Sequence, residues 1–181
     1  MGKFLVIFTV LSAVIAGGAI YYLQVYAYYE PVVLSDDPTV PGSTQIKLTS
    51  LETGRPEVVL VEDFEGIDAN SSPLRFRACF KTAQSQAMLT ETYVSYDDAV
   101  PLIAPDWFDC FDAKQLGSDL EKGVALAFLG EENITYGIDR IVAVYDDGRA
   151  YAWHQINECG SVVFDGRPAP DGCPEPPERT E

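Results

Sequence analysis

Few side chains in this 181-residue chain are of a type that does chemistry. A single histidine, His154, stands beside Trp153. An imidazole titrating near neutrality can act as a base, a metal ligand or a pH switch. A hydrolytic enzyme would need carboxylates gathered around it, because no G-x-S-x-G motif supplies a serine nucleophile. Phosphate-binding glycine loops and haem attachment motifs are also missing, so no cofactor is expected, and His154 is read as structural. Acidic residues are plentiful. Glu62, Asp63, Glu65 and Asp68 could give oxygen ligands to calcium, but their spacing is not that of an EF-hand, which leaves them weak candidates and no metal site expected. Asp106, Trp107 and Asp109 precede Cys110 and, with His154, are candidates for a partner or ligand surface. The competing expectation for that segment is a disulfide-fixed loop whose rings pack inward.

Cys79, Cys110, Cys159 and Cys173 are separated by 31, 49 and 14 positions. Four cysteines allow three pairings. No C-x-x-C pair exists, which argues against a zinc ribbon and for disulfides. The favoured pairing is Cys79 with Cys110 and Cys159 with Cys173, the second closing a loop rich in proline and glycine.

Charge narrows the partners. Lys3 is the only charged side chain before Glu30, so the rest carries 11 basic against 28 acidic side chains, a net charge of −17. Nucleic-acid binding draws its free energy from lysine and arginine displacing counterions, so it is excluded. A field of this sign favours cations or a basic protein partner instead.

What positions these residues begins with an anchor. Residues 4–23 (FLVIFTVLSAVIAGGAIYYL) carry no charge, and at about 1.5 Å per residue they reach about 30 Å, the thickness of a hydrocarbon core. A cleaved signal peptide is the rival, but the chain stays apolar and aromatic past Ala19 through Tyr21, Tyr22, Tyr26, Tyr28 and Tyr29, which suits an interfacial belt. Lys3 lies on one side and Glu30, Asp36 and Asp37 on the other. The positive-inside rule then puts the N-terminus in the cytoplasm and the domain outside. Ser12, Ala13, Gly17 and Gly18 form a small-residue strip that would let another membrane helix approach closely.

Residues 1–29 are thus expected to be a transmembrane anchor, 30–44 an extended, mobile stalk, 45–165 an acidic domain and 166–181 a proline-rich tail partly held by a disulfide. Strands are predicted around residues 45–51 and 57–61 as a hairpin, at 74–80, at 88–96, and centrally at 124–129. Asp112 should cap a short helix that ends at Gly123. Asp146-Asp147-Gly148 is hairpin turn chemistry between residues 140–145 and 149–156. The fold class is α+β, with an N-terminal transmembrane helix, a mainly antiparallel sheet and one or two short helices.

Residues 67–80 (IDANSSPLRFRACF), 88–113 (MLTETYVSYDDAVPLIAPDWFDCFDA) and 136–160 (YGIDRIVAVYDDGRAYAWHQINECG), with the tyrosine-rich anchor, resemble a family of uncharacterised membrane-anchored proteins of Rhodobacter- and Roseobacter-type alphaproteobacteria. The resemblance implies a bacterial inner membrane and a periplasmic domain, and it supplies no activity, cofactor or catalytic residue. The expected role is a non-catalytic accessory or assembly subunit. Its partners would be the lipid bilayer, other integral membrane proteins and a basic periplasmic protein. The alternative is a periplasmic sensor or binding module for a cation or small ligand.

Overall fold

A computed structural model describes residues 2–177. Met1 of the expected anchor and residues 178–181 of the expected tail lie outside the described residues. The uncharged N-terminal run forms α1 (Gly2–Tyr22), continued by a π-helical turn, Leu23–Ala27. Every residue of α1 is exposed. A helix apolar on all sides has no face to give to water, so α1 is a candidate membrane anchor.

The domain is built on a seven-stranded sheet. Its strands are β1 (Glu30–Leu34), β2 (Ser43–Thr44), β5 (Glu62–Asp68), β6 (Arg77–Lys81), β7 (Ala125–Thr135), β8 (Ile138–Tyr145) and β9 (Arg149–Ile156), in the spatial order β2-β1-β5-β6-β9-β8-β7. All neighbours are antiparallel except β1 and β2. A separate hairpin, β3 (Lys47–Thr49) with β4 (Pro56–Val58), folds over one face. Short helices α2 (Gln86–Thr92), α3 (Ala113–Glu121) and α4 (Glu158–Phe164) complete the α+β fold.

Both faces of the sheet are covered. This explains why β8 reads almost continuously apolar, as a strand buried on both sides must. Alternation sends Val142 and Val144 to one side, where Phe76, Phe80 and Phe128 meet Ile46 and Leu48 of the hairpin and Leu89 of α2. Ile141, Ala143 and Tyr145 go to the other side, where Trp153 and Cys79 meet Phe108, Phe111 and Leu116 of the 104–116 segment. The Cys79–Cys110 disulfide joins that segment to the sheet, and Cys159–Cys173 joins α4 to the tail. These are the expected pairings, and they suit an oxidising compartment.

Several expectations are corrected. Residues 88–96 are not one strand. Ser85 caps α2 by accepting from the Met88 amide at 3.3 Å, and the apolar spacing of Leu89 and Tyr93 serves a helical turn packed on the sheet. Only the end of the segment is extended. There the Leu129 amide donates to the Val94 carbonyl (2.8 Å), the Tyr96 amide to Ala127 (2.9 Å) and the Val94 amide to Thr49 (2.8 Å). This strap bonds the outer edge of β7 to β3, so β7 ends the main sheet instead of lying centrally, and its edge is sealed. The stretch expected to be a mobile stalk is extended but not free. β1 pairs with β5, Val32 facing Gly66, and β2 pairs with β1, so residues 30–44 are an edge of the sheet. Among the described residues three short helices stand where one or two were expected. Besides α2, the one without a sequence expectation is α4, which starts where Asn157 Oδ1 accepts from the Gly160 amide at 2.9 Å.

Candidate functional site

Two groupings of polar side chains stand out, one where the anchor meets the domain and one beneath the β3–β4 hairpin. At the first, three segments distant in sequence meet just past the end of α1. Trp107 Nε1 donates to the Val25 carbonyl at 2.7 Å. Its ring stacks on Tyr26 at 6.4 Å and meets Tyr29 edge-on at 5.8 Å. Arg75 donates to the Gln24 carbonyl (3.1 Å) and to Gln24 Oε1 (3.0 Å), with its guanidinium 5.3 Å from the Tyr29 ring centre. The loop bearing Trp107 is fixed by Arg77, which is buried and donates to the carbonyls of Leu102 (2.8 Å), Ile103 (3.2 Å), Leu74 (2.8 Å) and Phe76 (2.6 Å). Burial pulls the Arg77 pKa down to about 10, with Tyr29 and Asp68 opposing the shift, so it stays charged and its carbonyl partners take the place of water.

The sequence grouped Asp106, Trp107 and Asp109 as a lip. The structure divides it by residue. Phe108 turns inward to the core, whereas Trp107 keeps 37% exposure and reaches the anchor. The inward ring of Phe108 agrees with the disulfide-fixed loop, while Trp107 packs on the chain's own N-terminal helix.

The second grouping surrounds His154, which lies on the opposite face of the sheet and shares no hydrogen bond with Asp106, Trp107 or Asp109 among the described residues. Its ring stacks on Phe76 at 4.7 Å. Nδ1 lies 2.7 Å from the Pro73 carbonyl and Nε2 receives the Arg140 Nε–H at 3.0 Å. A carbonyl can only accept and a guanidinium only donate, so the ring is the neutral tautomer protonated on Nδ1. Burial, then the Arg140 charge, holds its pKa down at about 3. Arg140 also donates to Thr44 Oγ1 (3.0 Å) and the Gln45 carbonyl (3.3 Å), covers the Phe76 ring at 4.4 Å and lies 3.8 Å from Glu131, which pairs with Lys47 at 3.0 Å. Burial lowers the Arg140 pKa against Glu131 and Asp68. A buried imidazole with both nitrogens engaged is a structural link between β9, β8 and the chain before β6, and Arg140 extends it to the chain before β3.

Glu62, Asp63, Glu65 and Asp68 do not converge. They run along β5, whose register shifts between Glu62 and Glu65, and Asp63 is used by Lys81 at 2.8 Å. Asp68 points back to the Ala69 amide at 2.8 Å, and burial raises its pKa. Among the described residues no set of three or more His, Cys, Asp or Glu is arranged to hold a metal. Ser12, Ala13, Gly17 and Gly18 stay on α1 with open space beside both glycines.

The sequence reading missed the arginines and a knot around Asp139. Buried Asp139 accepts from the Asn133 amide (2.9 Å), Asn157 Nδ2 (2.7 Å) and the Tyr96 hydroxyl (3.3 Å). Burial, then Asp139, raises the Tyr96 pKa. The clue was present: Asp139-Arg140 interrupts an otherwise apolar strand, and a charge pair inside a buried strand must find partners. Beside the knot an open groove of about 660 Å³ is lined by Asp97, Asp98, Glu132, Asp139 and Glu158 and by no lysine or arginine.

No curated protein and no solved structure matches this chain. A model of one protein family, described as a family of unknown function (DUF6446), matches residues 46–174, which hold all four cysteines, the Arg140–His154 link and the Trp107 loop but not the anchor. With most of its length inside that match, the chain belongs to this family of unknown function.

Proposed function

We propose that this protein is a non-catalytic accessory or assembly subunit of a bacterial inner-membrane complex, with its N-terminus in the cytoplasm and its acidic domain in the periplasm. The clamp between Trp107, Arg75 and the end of the anchor carries this reading. A domain on a loose tether samples many orientations. One bonded to its own helix within a turn of the hydrocarbon edge keeps a fixed pose and height, which is what contact with an integral neighbour requires. The anchor leaves every side open to such a neighbour. The outward surface carries the negative charge that would steer a basic partner.

The test is purification of the full-length protein from native membranes in several mild detergents, followed by native gels and mass spectrometry. The expected result is a larger complex that Trp107→Ala or Arg75→Ala weakens without unfolding the domain. Migration only as a free monomer in every detergent overturns the proposal. The acidic groove beside Asp139 favours a second reading, a binding module for a small cationic ligand. Calorimetry with calcium and with a short polyamine checks it, and absence of heat for both removes it.

A further inference from the structure

The clamp that joins anchor to domain has chemistry left over. Arg75 spends two of its five N–H donors on Gln24, and among the described residues no carboxylate lies within 4.0 Å of it. Among the described residues Lys47, Lys81, Arg140, Arg149 and Arg167 have acidic neighbours, whereas Arg75, held at the end of the anchor, keeps donors that no carboxylate takes up. Its position is fixed by the chain itself. Gln24 is the second residue after α1, so the guanidinium sits within one turn of where the apolar span ends. Around it are Tyr26 and Tyr29 and the partly exposed Trp107, side chains that favour the headgroup level. Phosphodiester groups of a bilayer lie at that level, and the planar fork of an arginine matches two phosphate oxygens.

We infer that Arg75, framed by Tyr29 and Trp107, binds the phosphodiester of an outer-leaflet phospholipid and so seats the base of the domain on the membrane surface. This rests on the reading of residues 4–23 as a membrane span. Two of the remaining N–H groups would hold the phosphate, and the aromatic rings would flank the glycerol and upper acyl chains. The acidic surface elsewhere repels anionic headgroups, which leaves this base as the contact that lipid can make.

Full-length wild type, Arg75→Gln and Arg75→Lys are purified in mild detergent and stripped of lipid. Each is titrated with phosphatidylglycerol, with phosphatidylcholine and with a phosphate-free galactosyl diacylglycerol, and native mass spectrometry counts bound lipid. The expected result is one tightly held phospholipid of either headgroup on wild type and no comparable retention of the galactolipid. Arg75→Gln should weaken phospholipid binding about tenfold, as loss of a charge-assisted pair of hydrogen bonds would. Arg75→Lys should retain part of it. Inorganic phosphate at millimolar concentration should not displace the lipid, since the rings recognise its glycerol end; displacement would show a free-anion site and overturn the inference. Thermal melts confirm that each variant is folded. Equal phospholipid binding by wild type and Arg75→Gln, or equal retention of the galactolipid, also overturns it. Alkaline carbonate treatment of native membranes separates the two failures. Release into the supernatant overturns the membrane-span reading and this inference with it, whereas retention with unchanged lipid binding overturns this inference alone.

Discussion

Acidification should loosen this fold through one identifiable proton. His154 is the only histidine in the chain, and its two nitrogens are committed to the Pro73 carbonyl and to Arg140. Protonating it would bury a charge and set an imidazolium 3.0 Å from a guanidinium, so the folded state holds the pKa at about 3 against an ordinary value of 6.5. Between those values the unfolded chain binds a proton that the folded protein refuses. Stability is therefore full above pH 6.5 and declines as the pH falls toward 3, by about 1.4 kcal/mol per unit where the difference is one whole proton. From pH 7 to pH 5 the integrated loss is about 2 kcal/mol. Ordinary carboxylates are still ionised in both states over that range and contribute little. Asp68, raised by burial, has the opposite sign: the folded state takes its proton first, so acid favours folding through it, near the bottom of the window. Guanidinium unfolding of the full-length protein in detergent, followed by fluorescence of fully buried Trp153, measures the slope. His154→Gln supplies an acceptor for Arg140 and a donor for Pro73 without titrating. It should cost about 1–2 kcal/mol at pH 7 from lost stacking on Phe76 and remove the pH 7 to 5 slope. Parallel slopes for wild type and His154→Gln would refute the reasoning.

Arg140→Ala strips the partner from His154 Nε2 and from the Gln45 carbonyl together and leaves Glu131 facing fewer cations; chemical denaturation should show a loss of about 3–5 kcal/mol. Replacing Cys79 and Cys110 together with alanine should cost about 4 kcal/mol from a 31-residue separation, and Cys159 with Cys173 about 3 kcal/mol from a 14-residue one. Hydrogen exchange should show the first pair loosening the 104–116 segment and the second only α4 and the tail. Gly137 has φ +75° and no room for a Cβ against Gly160, so Gly137→Ala should destabilise by more than about 2 kcal/mol and expose the α4 amides to exchange.

What could be read from the sequence was what is written locally. The apolar run made an N-terminal helix long enough to be a candidate anchor, Asp146-Asp147-Gly148 made the hairpin with Gly148 at φ +85°, and Asp112 capped α3 with its side chain 2.9 Å from the Gln115 amide. The cysteine pairing followed from the proline- and glycine-rich loop between Cys159 and Cys173, which lacks other support. Residues 88–94 misled because threonine and tyrosine favour strands by side-chain shape, while Ser85 and the Leu89 contact with the core decided for a helix. Residues 30–44 misled for another reason. Prolines suggested a free linker, but β2 pairs only with Val33 and Leu34, so Pro31 has one side without a ladder and is tolerated, and the bonding capacity of β5 drew the segment in. The arginine arrangements were out of reach altogether. Arg140 meets Thr44 across 96 residues and Arg75 meets Gln24 across 51, contacts that no local pattern encodes.

Those arginines also explain how a chain of such one-sided charge divides its labour. Burying a cation is costly unless its donors are filled, and Arg77 and Arg140 are filled by backbone carbonyls and side chains of the interior. Each is thereby withdrawn from the surface, which becomes more acidic than the composition alone would make it. Arg75 is the exception, since it is spent at the junction with the anchor. The surface keeps exposed cations such as Lys81, Arg149 and Arg167, but carboxylates outnumber them, so the field of the domain is negative. A field arranged in that way has a direction relative to the membrane only if the domain cannot swivel, and the Trp107–Val25 bond opposes swivelling. Weakening the clamp should then slow encounter with a basic partner even though the net charge is unaltered. Raising salt should slow it too, by shrinking the Debye length to below about 8 Å.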